Sequence, residues 1–184
     1  PWLGLAPVYA VAKPPRNYFL SRAMLRSREA RGIRVLPRRG AMAEAPAVFA
    51  AGGALALLLD QRARMKPVLA PFFGRPARCD RSAGVLVRRL KAPVLLAFCI
   101  RQPGRPRRYR VECGPVLWPA DVSGWSPERF AERINQEFER TIRRHPEQYF
   151  WLHDRYRDTP LSFDPPGGDT ETEAQPARST APPR

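Results

Sequence analysis

Asp60 and Gln61 stand at the charged exit of an apolar run, Ala54-Leu55-Ala56-Leu57-Leu58-Leu59, which follows Gly52 and Gly53. A short apolar run between glycines and a polar exit is the pattern of a buried strand in an α/β sheet. Ligands of open α/β sheets bind beyond the carboxyl ends of the strands, which is where this acid and amide fall. They can orient a substrate or a catalytic histidine, or cap the following turn. Downstream, Pro71-Phe72-Phe73-Gly74-Arg75-Pro76 sets two aromatics beside a cation. An apolar wall next to an anion-binding group suits a substrate with a greasy part and a phosphate part. Taken alone, Phe72, Phe73, Gly74 and Arg75 also read as two core aromatics beside a surface arginine.

The elements that must position these residues follow from the pattern around them. Val8 to Ala12 is a β-prone run closed by Lys13-Pro14-Pro15, whose prolines offer no ladder donors. Asn17 caps an expected helix over Tyr18–Ala30, with Phe19, Leu20, Met24 and Leu25 on one face. Gly32 ends it. Strands at 33–36 and 54–59 then flank an alanine-rich helix at 41–51. Such β-α-β-α-β alternation predicts a mostly parallel sheet flanked by helices. Beyond the Phe-Phe-Gly loop the pattern gives a helix over 82–90 and strands over 93–100 and 109–116. Ser126-Pro127-Glu128 opens a last helix with a capping hydroxyl, proline at the first position and an acid in the first turn. Phe130, Ile134, Phe138 and Ile142 form its apolar stripe. The chain reads as one domain over 1–160 and a disordered tail over 161–184, where Pro, Gly, Asp, Thr and Ser replace the apolar residues.

The 184 residues carry a formal net charge of +15 and 22 prolines. The positive excess lies in residues 1–120 and calls for anionic partners. Cys79, Cys99 and Cys113 are odd in number and show no CxxC spacing, the usage of reduced thiols and not of a disulfide frame or zinc site. No run of apolar residues is long enough to span a bilayer. Helix-turn-helix, RNP and zinc-finger signatures, a P-loop, a GxGxxG turn and a GxSxG elbow are all missing, so no cofactor, metal or nucleic acid is expected. The rival class is a non-catalytic basic protein that binds anionic lipid or nucleic acid, supported by the charge and by Arg107-Arg108-Arg110 and Arg143-Arg144. Phe72-Phe73-Gly74-Arg75 beside the Asp60 strand end is what a mere binding protein leaves unaccounted for.

Four segments in order resemble the bacterial lipid A biosynthesis (lauroyl/myristoyl) acyltransferase family: Lys13-Pro14-Pro15-Arg16-Asn17, Asp60-Gln61, Pro71–Pro76 with Ala92-Pro93-Val94, and His145-Pro146-Glu147-Gln148-Tyr149-Phe150-Trp151-Leu152-His153. The resemblance spans about residues 5–157. It implies a glycerol-3-phosphate acyltransferase-like fold and transfer of an acyl chain from an acyl carrier protein or coenzyme A thioester to a hydroxyl of a glycolipid. It also implies work at an anionic membrane surface, on the cytoplasmic face of the bacterial inner membrane. Lys13, Arg16, Asn17, Asp60, Gln61, Phe72, Phe73, Gly74 and Arg75 are the substrate-binding residues it carries over. Lys13 stands where the family has arginine; it keeps the charge without bidentate geometry. The family's base is a histidine followed, four residues on, by an acid, lying before the strand equivalent to Val8–Ala12. Since no histidine precedes His145, no catalytic residue is assigned within the chain. Either the dyad lies upstream of Pro1, the chain being an N-terminally truncated fragment inactive alone, or the chain is a degenerate member of the family; the first is the expectation. His153 and Asp158 have the dyad's spacing, but they lie where the chain leaves the domain and are read as a coincidence.

Overall fold

The computed structural model describes residues 6–38, 40–104 and 108–160; the tail expected at 161–184 and Arg107 lie outside the described residues. In chain order the elements are β1 (Val8–Ala12), α1 (Tyr18–Glu29), β2 (Ile33–Pro37), α2 (Ala41–Ala50), β3 (Ala54–Ala56), β4 (Val68–Phe72), β5 (Arg75–Cys79), α3 (Ser82–Leu90), β6 (Val94–Arg101), β7 (Tyr109–Leu117) and α4 (Pro127–Arg144). The α/β class holds. The expected mostly parallel sheet does not: among the described residues only β2-β1-β3 is parallel, whereas β4-β5 and β6-β7 are separate antiparallel hairpins.

In the parallel sheet Val8 stands opposite both Ile33 and Ala54, and β3 runs out at Ala56 opposite Ala10. The expected strand at 54–59 is cut to three residues, since β3 stops opposite Ala10 while β1 runs on to Ala12. Leu57 and Leu59 leave the sheet and pack against a second core of Ala83, Val87, Leu96, Leu117, Val122, Phe130 and Ile134. On one sheet face Tyr9, Val11 and Leu55 meet Leu36, Ala41 and Val48, so α2 covers that side. α1 buries no residue fully, and the face expected to pack leaves Phe19 and Leu20 exposed.

The Phe-Phe-Gly segment, read as a loop, is a β-hairpin. Phe72 pairs with Arg75, leaving Phe73 and Gly74 as a two-residue turn, both with positive φ (49° and 75°). That is the sign pattern of a type I′ turn, which matches strand twist but favours Asn-Gly. Pro71 and Pro76 face each other one step back, at a position where backbone N–H groups point away from the partner strand. The prolines therefore cost the hairpin no ladder bond and close both of its edges to a further strand. α4 lies under this hairpin through Ala131 and Ile142. Its cap is the expected one: Ser126 Oγ accepts from the Arg129 N–H at 3.1 Å. Gly84 lets α3 approach α4, since a Cβ there would sit 3.2 Å from the Phe130 ring. Among the described residues no helix is long and apolar enough to cross a membrane.

Candidate active site at the carboxyl rim of the parallel sheet

The order β2-β1-β3 reverses direction between β1 and β3, and a crevice opens at the carboxyl ends of two such strands. Lys13, Arg16 and Asn17 follow β1 at this rim, whereas Asp60 and Gln61 come four and five residues after the end of β3, beyond the point where Leu57 and Leu59 leave the sheet. Lys13, Arg16 and Gln61 are exposed and Asp60 is half-buried. Asn17 is committed in part to the backbone, since its Oδ1 accepts from the Leu20 N–H at 3.0 Å and caps α1. Its side-chain N–H₂ is what remains for a ligand.

The third group, at the hairpin turn, is held by the segment after α4. Phe72 is buried in an edge-to-face contact with half-buried Phe73 at 4.8 Å, and it lies 6.1 Å from Tyr149 and 6.2 Å from Tyr156. Trp151 meets Phe73 at 5.8 Å and Tyr149 at 4.9 Å. The Phe73 N–H donates to Glu139 Oε1 at 2.7 Å, and the Tyr156 hydroxyl donates to the Phe72 carbonyl at 2.9 Å. These contacts offset the cost of a bulky residue at positive φ, on the order of 1–2 kcal/mol. Arg75 stacks over the Tyr156 ring at 4.3 Å and is exposed, which leaves the edge of its guanidinium to solvent. No hydrogen bond or ion pair joins Arg75 to Asp60 among the described residues. Burial raises the pKa of Tyr149, with Arg155 opposing the rise and the charge of Asp60 adding to it.

Sequence reasoning missed Arg155, which is 1% exposed. Its guanidinium covers the Phe72 ring at 4.1 Å, and Nη2 donates to Asn135 Oδ1 at 2.9 Å and to Cys79 Sγ at 3.5 Å. Asn135 in turn donates to the Pro71 carbonyl at 2.8 Å. Nε and Nη1 of Arg155 find no partner among the described residues. Asn135, Cys79 and Glu139 were missed with it. Spacing alone gives no cue to a buried arginine; the density of aromatics over 149–156 was the one signal.

The Nε2 of His153 is not free to act as a base. His153 Nε2 accepts the Arg62 N–H at 2.7 Å, so that nitrogen carries no proton and its lone pair is engaged. Asp158 binds the Arg62 guanidinium at 3.3 Å instead of the imidazole. His145 Nε2 lies 3.7 Å from Glu112, whose pKa is lowered chiefly by its hydrogen bond to Arg110. The described residues contain no cluster of metal-ligating side chains.

No curated protein matches the chain. A model of the family described as bacterial lipid A biosynthesis acyltransferase matches residues 4–158, a span that takes in the Lys13–Asn17 turn, the Asp60-Gln61 segment, the hairpin and the aromatic segment that clamps it. With that match over most of its length, the chain belongs to the bacterial lipid A biosynthesis acyltransferase family.

Proposed function

We propose that this chain forms part of an acyltransferase that moves a fatty acyl group from an acyl carrier protein or coenzyme A thioester to a hydroxyl of a membrane glycolipid such as a lipid A precursor. The work is done at the cytoplasmic face of the bacterial inner membrane. The observation that carries the reading is the family match over residues 4–158, with Lys13 and Arg16 exposed just beyond the end of β1. In the reaction the acceptor hydroxyl attacks the thioester carbonyl; a C–O bond forms, the C–S bond breaks, and the hydroxyl proton passes through a general base to the thiolate. With His153 engaged by Arg62, that base comes from outside residues 6–160, as a histidine followed four residues later by an acid. Lys13 and Arg16 offer positive charge to phosphates of the acceptor, Asp60 orients the base, and Arg75 presents its free guanidinium edge to a further anionic group.

The test is acyl transfer by the complete gene product, followed by mass spectrometry of the acylated lipid. Arg75→Ala removes a charge-assisted contact of about 1.5–3 kcal/mol and lowers kcat/KM roughly ten- to hundredfold. Arg157→Ala, exposed and paired with Asp154 at 3.5 Å, leaves it unchanged. Equal activity of the two variants would remove Arg75 from the site.

A further inference from the structure

The segment 57–67, which carries Asp60 and Gln61, belongs to no helix or strand. Its polar backbone groups therefore need partners outside any ladder. Among the described residues two of its N–H groups find one elsewhere in the fold. Ala63 donates to the Arg78 carbonyl of β5 at 3.0 Å, and Arg62 donates to His153 Nε2 at 2.7 Å. The first bond joins backbone to backbone and is open to almost any sequence. The second commits an imidazole to a backbone donor far away in the chain, just after the Asp60-Gln61 pair.

These bonds close a ring. The Arg78 N–H donates to the Arg155 carbonyl at 3.3 Å, so Arg78 holds the loop with one backbone group and the 153–155 segment with the other. His153, half-buried, returns from that segment to the loop. Arg155 anchors the segment, buried against the Phe72 ring at 4.1 Å. Asp158 takes the guanidinium of the same Arg62 at 3.3 Å. The two residues whose spacing imitates a catalytic dyad thus both engage Arg62, one its backbone and the other its side chain. That gives the pair a use without chemistry of its own.

We propose that His153 is a positioning residue, whose Nε2 holds the Arg62 N–H and thereby fixes the segment that presents Asp60 and Gln61. The inference rests on the transferase reading for what that segment does, namely that Asp60 orients the base. The far nitrogen of the ring is the working atom, which makes the claim specific. Glutamine sets its Oε1 about where Nε2 lies and can accept the same N–H, whereas the amide of asparagine stops where Nδ1 stood.

The experiment makes two measurements on the complete gene product. Amide hydrogen exchange by mass spectrometry follows the peptide over 57–67. Exchange at Arg62 stays slow in His153→Gln and rises about tenfold or more in His153→Asn, while peptides of β4 and α4 keep their wild-type rates. In acyl transfer, His153→Asn lowers kcat about tenfold and leaves KM nearly unchanged, since the phosphate contacts remain, and His153→Gln recovers most of the loss. In an Asp60→Ala background His153→Asn costs nothing further, because the residue acts through Asp60. Equal exchange at Arg62 in the Gln and Asn variants would overturn the proposal, as would an equal rise in β4 and α4 or full additivity with Asp60→Ala. An inactive wild type sinks the transferase reading alone, because the exchange rates still decide whether His153 fixes the segment. Activity in the wild type with no difference between the two variants sinks the role of His153 and leaves that reading standing.

Discussion

Arg155 shows how one side chain can hold a site that it does not enter. It stacks on Phe72, binds Asn135 and Cys79, and leaves two guanidinium nitrogens without partners among the described residues. Truncation and neutralisation should therefore differ. Arg155→Ala opens a cavity over Phe72 and strands the Asn135 carbonyl, at a cost of about 3–4 kcal/mol. Arg155→Met fills most of the volume and removes the buried charge, so its cost is less than half of that. Urea denaturation of both variants decides it, and a Met variant as unstable as the Ala variant would show that the charge, not the packing, matters. This residue was not legible in the sequence, where arginine is abundant and reads as surface. His153, read as a coincidence of spacing, accepts the Arg62 N–H on its Nε2.

At the level of elements, the local signals that worked were those with a steric or hydrogen-bonding cause. Asn17 capped its helix, Ser126-Pro127 opened α4, and proline closed β1 at Ala12. The hairpin was missed because its signals were inverted. Phe73 sits where Asn is expected, and Pro71 and Pro76, which usually break strands, occupy the one register where a strand tolerates them. The alternation announced parallel strands joined by helices but not their order, since right-handed crossovers allow 1-2-3 as well as the observed 2-1-3. The exposed face of α1 was not legible, because periodicity says which face is apolar and not whether anything covers it. The Asn17 cap is open to direct measurement. Asn17→Ala should lower stability by about 1 kcal/mol and Asn17→Ser should restore it, since both Asn and Ser accept from the free N–H groups of a first turn. Thermal melts of the three proteins check this; a Ser variant as unstable as Ala would leave Asn17 without a capping role.

Taken whole, the molecule joins two kinds of pairing. β4 meets β5 across two residues and β6 meets β7 across a short connection, with α4 packed beneath β4, whereas β1 must reach β2 and β3 across entire helices. Amide hydrogen exchange should accordingly be slowest in β4, β5 and α4 and faster in β1 and β3, where α1 buries nothing fully. Greater protection in β1 than in β4 would contradict that ranking. The two-residue turn at Phe73-Gly74 then bears on time as well as shape. Local pairings close in microseconds, and pairings between distant segments wait on the entropy of closing long loops. The β4-β5 hairpin and its α4 support should therefore form first, and the three parallel strands should assemble last. On a ribosome the order of emergence runs the other way: β1, α1 and β2 appear first and must wait for the half of the chain that folds quickly. During that wait Tyr18, Phe19 and Leu20, which the finished fold also leaves exposed, are bare.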